Sequence, residues 1–240
     1  MTKLPLFPTL GRTLANAFKG LYSSLGFSML MSLIWFLPVM PVLIVIFSVM
    51  LIPSSAKITP GEVFTLRAWA FLTVAVWNSF VTGPIVTTLY SLFQERKVDY
   101  PSIPMFFRLF KKFYWASVRI TLAFSIAYLL LFLNIWIMLG TRNILLMVAG
   151  VISVYVLLAV WLMQFYTTPL IYLGNSFKKV LRKSFLLAMD NFALSFFYSL
   201  ILGILFILSV FLPIFAIMFY GGILIFIMDQ GFEVIYNKYD

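Results

Sequence analysis

Side chains that commonly carry catalysis are scarce in this sequence. Its 240 residues contain no Cys and no His, so disulfides, thiolate or imidazole metal ligands and His-dependent acid–base catalysis are excluded. Asp190 and Asp229 are the two carboxylates that suggest an aspartyl dyad, but we expect each of them to cap a helix end at the cytoplasmic interface. The sequence therefore predicts a protein that is not an enzyme and has no catalytic residue, cofactor or metal.

Three side-chain amides interrupt long apolar runs, at Asn78, Asn134 and Gln164. An amide in a membrane helix usually hydrogen-bonds to a neighbouring helix, which stabilises the pair by about 0.6–2 kcal/mol, and we favour this interpretation. The alternative is that the three amides line a polar path for a substrate. No acidic residue falls at the centre of an apolar run, so neither a proton relay nor an ion path is indicated.

Three segments carry positive charge opposite an apolar helical face. Their apolar residues recur at intervals of three and four positions, which is typical of a helix in the membrane interface. The basic residues are Arg12 and Lys19 in the first segment, Arg108, Lys111 and Lys112 in the second, and Lys178, Lys179, Arg182 and Lys183 in the third. We favour an anchor in the lipid bilayer, where each cation near an anionic leaflet contributes roughly 1 kcal/mol. Docking to a partner protein is the alternative, and a headgroup-specific lipid site is the third interpretation.

The composition requires that membrane-spanning elements position these residues. The chain is 63% hydrophobic and 10% charged, whereas soluble domains are about 45–50% apolar and about 25% charged. A soluble domain, a disordered chain and a nucleic-acid-binding domain are therefore excluded. The apolar runs lack the alternation of barrel strands, so helices must satisfy the backbone in lipid. We predict an all-α, polytopic membrane helical bundle forming one domain over residues 1–240, with spans at about 25–52, 68–93, 114–139, 144–173, 192–211 and 213–228.

The number of spans depends on the last apolar run. Phe192 to Met228 is too long for a single crossing of about 20 residues. Pro213 lies inside the run, and Gly221 and Gly222 follow it. We interpret the run as two helices that separate near Pro213, which gives six spans. A single long kinked helix, which gives five, is the alternative.

The basic residues also predict the orientation of the protein. All but three of the 17 Lys and Arg residues fall on one side of the six-span arrangement, the exceptions being Lys57, Arg67 and Arg142. Basic residues accumulate in cytoplasmic loops, so we predict that both termini are cytoplasmic. The net charge of +10 is then a one-sided deposit at the membrane and does not indicate binding to nucleic acid.

The six spans can be grouped as three hairpins, each preceded by one of the basic segments. Thr82-Gly83-Pro84-Ile85 near the end of the second span resembles Thr167-Thr168-Pro169-Leu170 near the end of the fourth, and Gly221-Gly222-Ile223 would be a degenerate third copy. Equivalent helices would share one orientation, as in the parallel repeats of some transporters. Matches this short arise easily in apolar helices, so a true repeat and a coincidence both stay open.

Several short motifs together support a family resemblance. They are Trp35-Phe36-Leu37-Pro38-Val39, Thr82-Gly83-Pro84-Ile85-Val86-Thr87-Thr88-Leu89-Tyr90, Phe106-Phe107-Arg108-Leu109-Phe110-Lys111-Lys112-Phe113, Thr168-Pro169-Leu170 and Asn175-Ser176-Phe177-Lys178-Lys179-Val180-Leu181-Arg182-Lys183-Ser184-Phe185. Their order resembles the YesL-like family of bacterial integral membrane proteins, over roughly residues 10–200. Members of that family, whose function is unknown, are often encoded beside carbohydrate-uptake ABC transporters and glycan-degrading enzymes. The resemblance implies a protein of the bacterial cytoplasmic membrane with an accessory role in sugar import, permease subunits as partners and no catalytic residues to carry over.

Two functions of different classes follow from these observations. The favoured one is a non-enzymatic accessory or scaffold subunit of a membrane complex associated with carbohydrate ABC-type import. The alternative is a small transporter or channel that itself moves a neutral solute such as an oligosaccharide. A cavity at mid-membrane depth near Asn78, Asn134 and Gln164 would favour the transporter, whereas a tightly packed, dry bundle would favour the accessory subunit.

Overall fold

A computed structural model describes residues 5–50, 60–96, 101–139 and 143–239, and within these ranges all regular structure is helical. The helices are α1 (Leu6–Ser23), α2 (Leu25–Met50), α3 (Pro60–Trp77), α4 (Gly83–Glu95), α5 (Ile103–Leu139), α6 (Ile144–Tyr172), α7 (Phe177–Asp190), α8 (Phe192–Phe211), α9 (Pro213–Phe215) and α10 (Gly221–Tyr236). Two π-helical turns complete the chain: Asn78–Thr82 joins α3 to α4, and Ala216–Tyr220 joins α9 to α10. Lys3, Lys57, Lys97 and Arg142 lie outside the described residues, as does the predicted end of the first span.

Six helical stretches in the described residues are long and apolar enough to cross a membrane. They are Leu25–Val49, Thr65–Glu95, Ile103–Met138, Ile144–Tyr172, Phe192–Phe211 and Pro213–Tyr236. The prediction of an all-α polytopic bundle is therefore confirmed. The last apolar run divides where the sequence indicated, because Leu212 leaves the helical region with φ −121° and ψ 77°. A residue that precedes proline is disfavoured in the α conformation, so Pro213 separates α8 from α9.

Two helices are longer than the sequence predicted. The basic segment before the third span is continuous with it, because α5 is one helix of 37 residues. At 1.5 Å per residue such a helix is about 55 Å long, well beyond the bilayer core of about 30 Å, so part of it must extend past that core. The last span continues to Tyr236 and not to about residue 228. Asp229 is consequently inside α10, and the expectation that it caps a helix end is wrong.

The bundle has one well-packed end, which we call the basic end. The starts of α2, α5 and α8 meet there with the ends of α4, α6 and α10. Arg96 after α4 lies over the ring of Phe27 in α2 at 4.5 Å, and Asn191 before α8 donates to the Tyr239 hydroxyl at 2.9 Å. The opposite end is less packed, since nearly every residue of α6 from Ile144 to Val156 is exposed on the bundle surface. Such a face suits contact with lipid tails.

α10 lies at the centre of the bundle and contacts α1, α2, α4, α6 and α8. Glycines allow its close approach to α2: a Cβ on Gly221 would lie 2.7 Å from the Ser32 Cα. The Gly222 N–H donates to the Ser32 hydroxyl at 2.9 Å. Small residues at helix contacts are the usual means of close packing in membranes, so the glycine pair serves to seat α10 against α2.

Candidate functional site

A cavity of about 350 Å³ lies among the transmembrane helices. Its walls come from the first π turn and α4, from the middle of α5, from the second half of α6, and from α8 and α10. α5 and α8 both line it but make little contact with each other. The cavity thus occupies the space between the group α4, α5 and α6 and the pair α8 and α10.

The cavity wall is uncharged and combines polar with apolar residues. Its polar residues are Asn78, Thr82, Thr87, Ser117, Thr121, Gln164, Thr167, Thr168, Ser199 and Tyr220. Aromatic rings supply much of the rest, from Phe124, Trp161, Phe165 and Phe206. No Asp, Glu, Lys or Arg is among the described residues that line it. A neutral wall of this kind suits a neutral guest, because a bare charge in a low-dielectric site costs several kcal/mol.

The structure places two of the three predicted lining amides at this cavity. Asn78 and Gln164 both line it and are half-buried, although they are 86 positions apart in the chain. Asn134 does not line the cavity, and its side chain is exposed near the far end of α5. Sequence reasoning could not separate them, because all three are amides in apolar runs.

The first π turn explains the shape of one wall. In an α-helix the Gly83 N–H would bond to the Ser79 carbonyl, but here it bonds to the Asn78 carbonyl, as expected for i→i−5 pairing. The Ser79 carbonyl is thereby released and lies 3.0 Å from the Thr121 hydroxyl of α5, whose single proton is shared between this carbonyl and the Ser117 carbonyl of its own helix at 2.8 Å. A neighbouring helix thus compensates the irregular backbone, as lipid-embedded backbone requires.

Hydroxyl pairs hold the same wall against α5. The Thr87 and Ser117 hydroxyls are 2.9 Å apart, and those of Ser79 and Ser125 are 3.0 Å apart. The Thr82 hydroxyl oxygen is different, since it is buried and has no hydrogen-bond partner in the described structure. Polar groups in that state are rare and cost about 1–3 kcal/mol.

The second π turn forms the opposite wall through Tyr220. Its ring packs against Trp35 of α2, with ring centroids 4.6 Å apart, and its hydroxyl donates to the Leu202 carbonyl of α8 at 3.2 Å. These contacts tie α8, the π turn and α2 together. Both π turns therefore contribute to one cavity, and π turns are frequent at functional sites.

A buried carboxylate lies just beyond the cavity, toward the basic end. Asp229 is only 4% exposed and follows Met228, which lines the cavity. The Gln94 amide donates to its Oδ1, which the Tyr90 hydroxyl also reaches at 3.5 Å. Gln230 lies 3.4 Å from Oδ2. Donors of this kind offset the cost of burying a carboxylate, so Asp229 ties α4 to α10.

The other carboxylate, Asp190, is the last residue of α7. It accepts a hydrogen bond of 3.2 Å from the Tyr239 hydroxyl. Burial raises the pKa of that hydroxyl and the Asp190 carboxylate raises it further, while the bond from Asn191 lowers it. Tyr239 therefore keeps its proton at neutral pH and ties the segment after α10 to the junction of α7 and α8.

The seven predicted docking residues lie on two helices that contact each other, α5 and α7. Six of them are exposed, namely Arg108, Lys111, Lys112, Lys178, Lys179 and Arg182, and Lys183 is half-buried. The apolar faces of both helices are turned inward, with Leu109 and Val180 buried. In the described part of the chain none of the seven cations has an acidic partner. They form a surface that is open to an anionic lipid or protein.

Sequence reasoning missed several functional candidates, chiefly Thr82, Tyr220 and the Ser117–Thr121 pair. The available signal was a spacing of four positions between small residues, at Gly83 and Thr87 and again at Ser117 and Thr121. This spacing puts the two members of each pair on the same face of their helix. Comparison of the chain with family models, with curated proteins and with solved structures finds no match.

Proposed function

We propose that this protein binds a small neutral polar solute in its central cavity and carries it across the membrane. The observation that supports this most is the uncharged cavity, whose wall places the amides of Asn78 and Gln164 among aromatic and aliphatic side chains. A bundle that served only as a scaffold would gain stability by packing apolar side chains there. The cavity, which two of the three predicted amides line, therefore supports the transporter more than the accessory subunit.

The size and lining of the cavity suggest the class of solute. Small-molecule sites have volumes of about 300–1,000 Å³, so a cavity of about 350 Å³ suits a monosaccharide or polyol better than an oligosaccharide. Amides such as Asn78 and Gln164 both donate and accept hydrogen bonds, which matches sugar hydroxyls. The rings of Trp161 and Phe206 offer apolar faces on which a sugar ring can pack.

The test is uptake into liposomes that contain the purified protein alone. Radiolabelled glycerol, myo-inositol and glucose serve as probes, and maltotriose serves as an oversized control. We expect saturable uptake of at least one small probe. The Gln164→Leu and Asn78→Leu variants should lower uptake about tenfold, equivalent to about 1.4 kcal/mol for one lost hydrogen-bonding group, while Asn134→Leu should not. Absence of saturable uptake for all the small probes, or an equal loss with Asn134→Leu, would refute the proposal.

A second candidate function is the accessory subunit of a carbohydrate ABC-type importer. The exposed cations of α5 and α7 support it, because they leave a positively charged surface without acidic partners in the described residues. Gentle extraction of tagged protein should recover permease subunits, and the combined Lys178→Gln, Lys179→Gln and Arg182→Gln variant should lose them. Recovery of the wild-type protein alone, while a control complex stays intact, would count against this function.

We further propose that the basic end faces the cytoplasm of a bacterium and that both termini are cytoplasmic, since basic residues accumulate on that side. Reporter fusions test this orientation. A fluorescent protein fused after residue 240 should be fluorescent, and a periplasm-dependent phosphatase at the same position should be inactive. The reverse pair of results would overturn the proposed orientation.

A further inference from the structure

A second, smaller cavity of about 180 Å³ lies at the basic end, and we call it the vestibule. It is bounded by α5, the end of α6 and the start of α7, with Arg119, Asn175 and Ser176 as its polar residues. Arg119 is exposed, and its Nε donates to the Trp115 carbonyl at 3.1 Å. The vestibule thus has polar groups and an outlet toward the surface from which the basic residues project.

Two residues line both the vestibule and the central cavity, namely Ile120 of α5 and Ile171 of α6. They are 2% and 4% exposed, respectively. Because both cavities end at these side chains, they form the partition between them. The partition is apolar, whereas each cavity also has polar groups in its wall. Each of the two helices contributes one residue to the partition.

Hydrogen bonds fix the backbone on the α6 side of the partition. α6 ends just after Ile171, and the Gly174 N–H donates to the Ile171 carbonyl at 2.9 Å. Gly174 has φ +71°, a conformation that glycine adopts without strain. The Asn175 side chain donates to the Leu170 carbonyl at 3.0 Å, which closes the turn into α7. The backbone at Ile171 is therefore fixed, and its side chain is the part that can move by rotamer change.

We infer that Ile120 and Ile171 are the gate and size filter through which solute passes between the vestibule and the central cavity. This inference rests on the proposed function and adds the route and the residues that select by size. Two branched apolar side chains would stop hydrated ions and large solutes, and would yield to a small neutral molecule by rotamer change. The vestibule collects the solute, with Asn175 and Ser176 as hydrogen-bonding groups.

The chain has no cysteine, so single cysteines can be placed in the otherwise natural protein and probed with thiol reagents. Thr82→Cys reports on the central cavity and Ser176→Cys on the vestibule. Asn134→Cys is the control that lies outside both. Each is reconstituted in liposomes and treated from one side with a small neutral methanethiosulfonate and with a bulky charged one, and the rate of labelling is measured.

We expect Ser176→Cys to react with both reagents from the basic side, and Thr82→Cys to react with the small neutral reagent alone. Adding Ile171→Ala or Ile120→Ala should raise the labelling rate of Thr82→Cys by about tenfold, which corresponds to about 1.4 kcal/mol of barrier. The labelling rates of Ser176→Cys and Asn134→Cys should not change. Two separate alanine variants are used so that the test can still be read if one of them misfolds. Size-exclusion chromatography would reveal a misfolded variant.

An unchanged labelling rate at Thr82→Cys in both alanine backgrounds, or faster labelling from the opposite side, would overturn the gate. The outcomes separate this inference from the proposed function. If Thr82→Cys is labelled but the alanine variants have no effect, the cavity is accessible by another route and only the gate fails. If solute uptake is absent while the alanine variants accelerate labelling, the gate stands and transport of the tested solutes fails.

Discussion

The substitution Gly83→Ala tests whether the first π turn is held by close packing against α5. A Cβ on Gly83 would lie 3.0 Å from both the Cβ and the hydroxyl of Thr121, and closer still to its methyl group. Overpacking of this kind costs about 1–3 kcal/mol. Displacing Thr121 also weakens its bond to the Ser79 carbonyl, worth about 0.6 kcal/mol in a membrane. The better helix propensity of alanine offsets about 1 kcal/mol of this cost, so we expect a net loss of about 0.6–2.6 kcal/mol.

The assay is unfolding by sodium dodecyl sulfate in mixed micelles, followed by circular dichroism. Gly203→Ala is the matched control, because Gly203 is also inside a transmembrane helix but a Cβ added there would meet nothing within 4 Å. This substitution should leave stability unchanged or raise it by up to about 1 kcal/mol. Thr121→Ser removes the obstructing methyl group and keeps the hydroxyl, so it should reduce the cost of Gly83→Ala. Equal stabilities of the two alanine variants, or no reduction in the Thr121→Ser background, would refute the packing argument.

Two further substitutions test individual hydrogen bonds. Ser32→Ala removes the acceptor of the buried Gly222 N–H and should lower stability by about 1–2 kcal/mol in the same titration. The control Ser48→Ala should change stability by no more than about 0.5 kcal/mol, because that exposed hydroxyl bonds only to its own helix. Equal effects of the two substitutions would contradict the role assigned to Ser32. Thr82→Val removes an unpartnered buried hydroxyl, so stability in the same titration should hold or rise. A loss of stability would show that the hydroxyl is already satisfied.

The parts of the fold that the sequence predicted are those set by local physics. An apolar run long enough to cross the bilayer core indicates a span whatever its neighbours are, and six such stretches are present. The division at Pro213 is equally local, because the proline ring restricts the residue before it. The junction at α5 was missed since nothing in the sequence around Tyr114 tells an interfacial helix from the first turns of a longer one.

The site depends on contacts between distant segments, which no local pattern contains. Asn78 and Gln164 meet at the cavity and Asn134 does not, because the rotation of each helix follows from packing across the whole bundle. The π turn at Asn78–Thr82 requires a hydroxyl from α5 to take up the released carbonyl. The burial of Asp229 also depends on a distant segment, because Gln94 and Tyr90 of α4 supply the donors to its carboxylate.

The two candidate functions use the same region of the molecule, between α5 and α7, and need not exclude each other. The vestibule opens between α5 and α7, the same helices that carry the exposed cations. A partner bound to those cations would cover the vestibule and could pass solute to it or receive solute from it. The two functions nevertheless respond to different substitutions. Neutralising Lys178, Lys179 and Arg182 removes only the charged surface, so uptake by the isolated protein should persist while partner recovery is lost. Ile171→Ala widens the partition and leaves the cations in place, so uptake by the isolated protein should become faster and less selective for size while partner recovery persists.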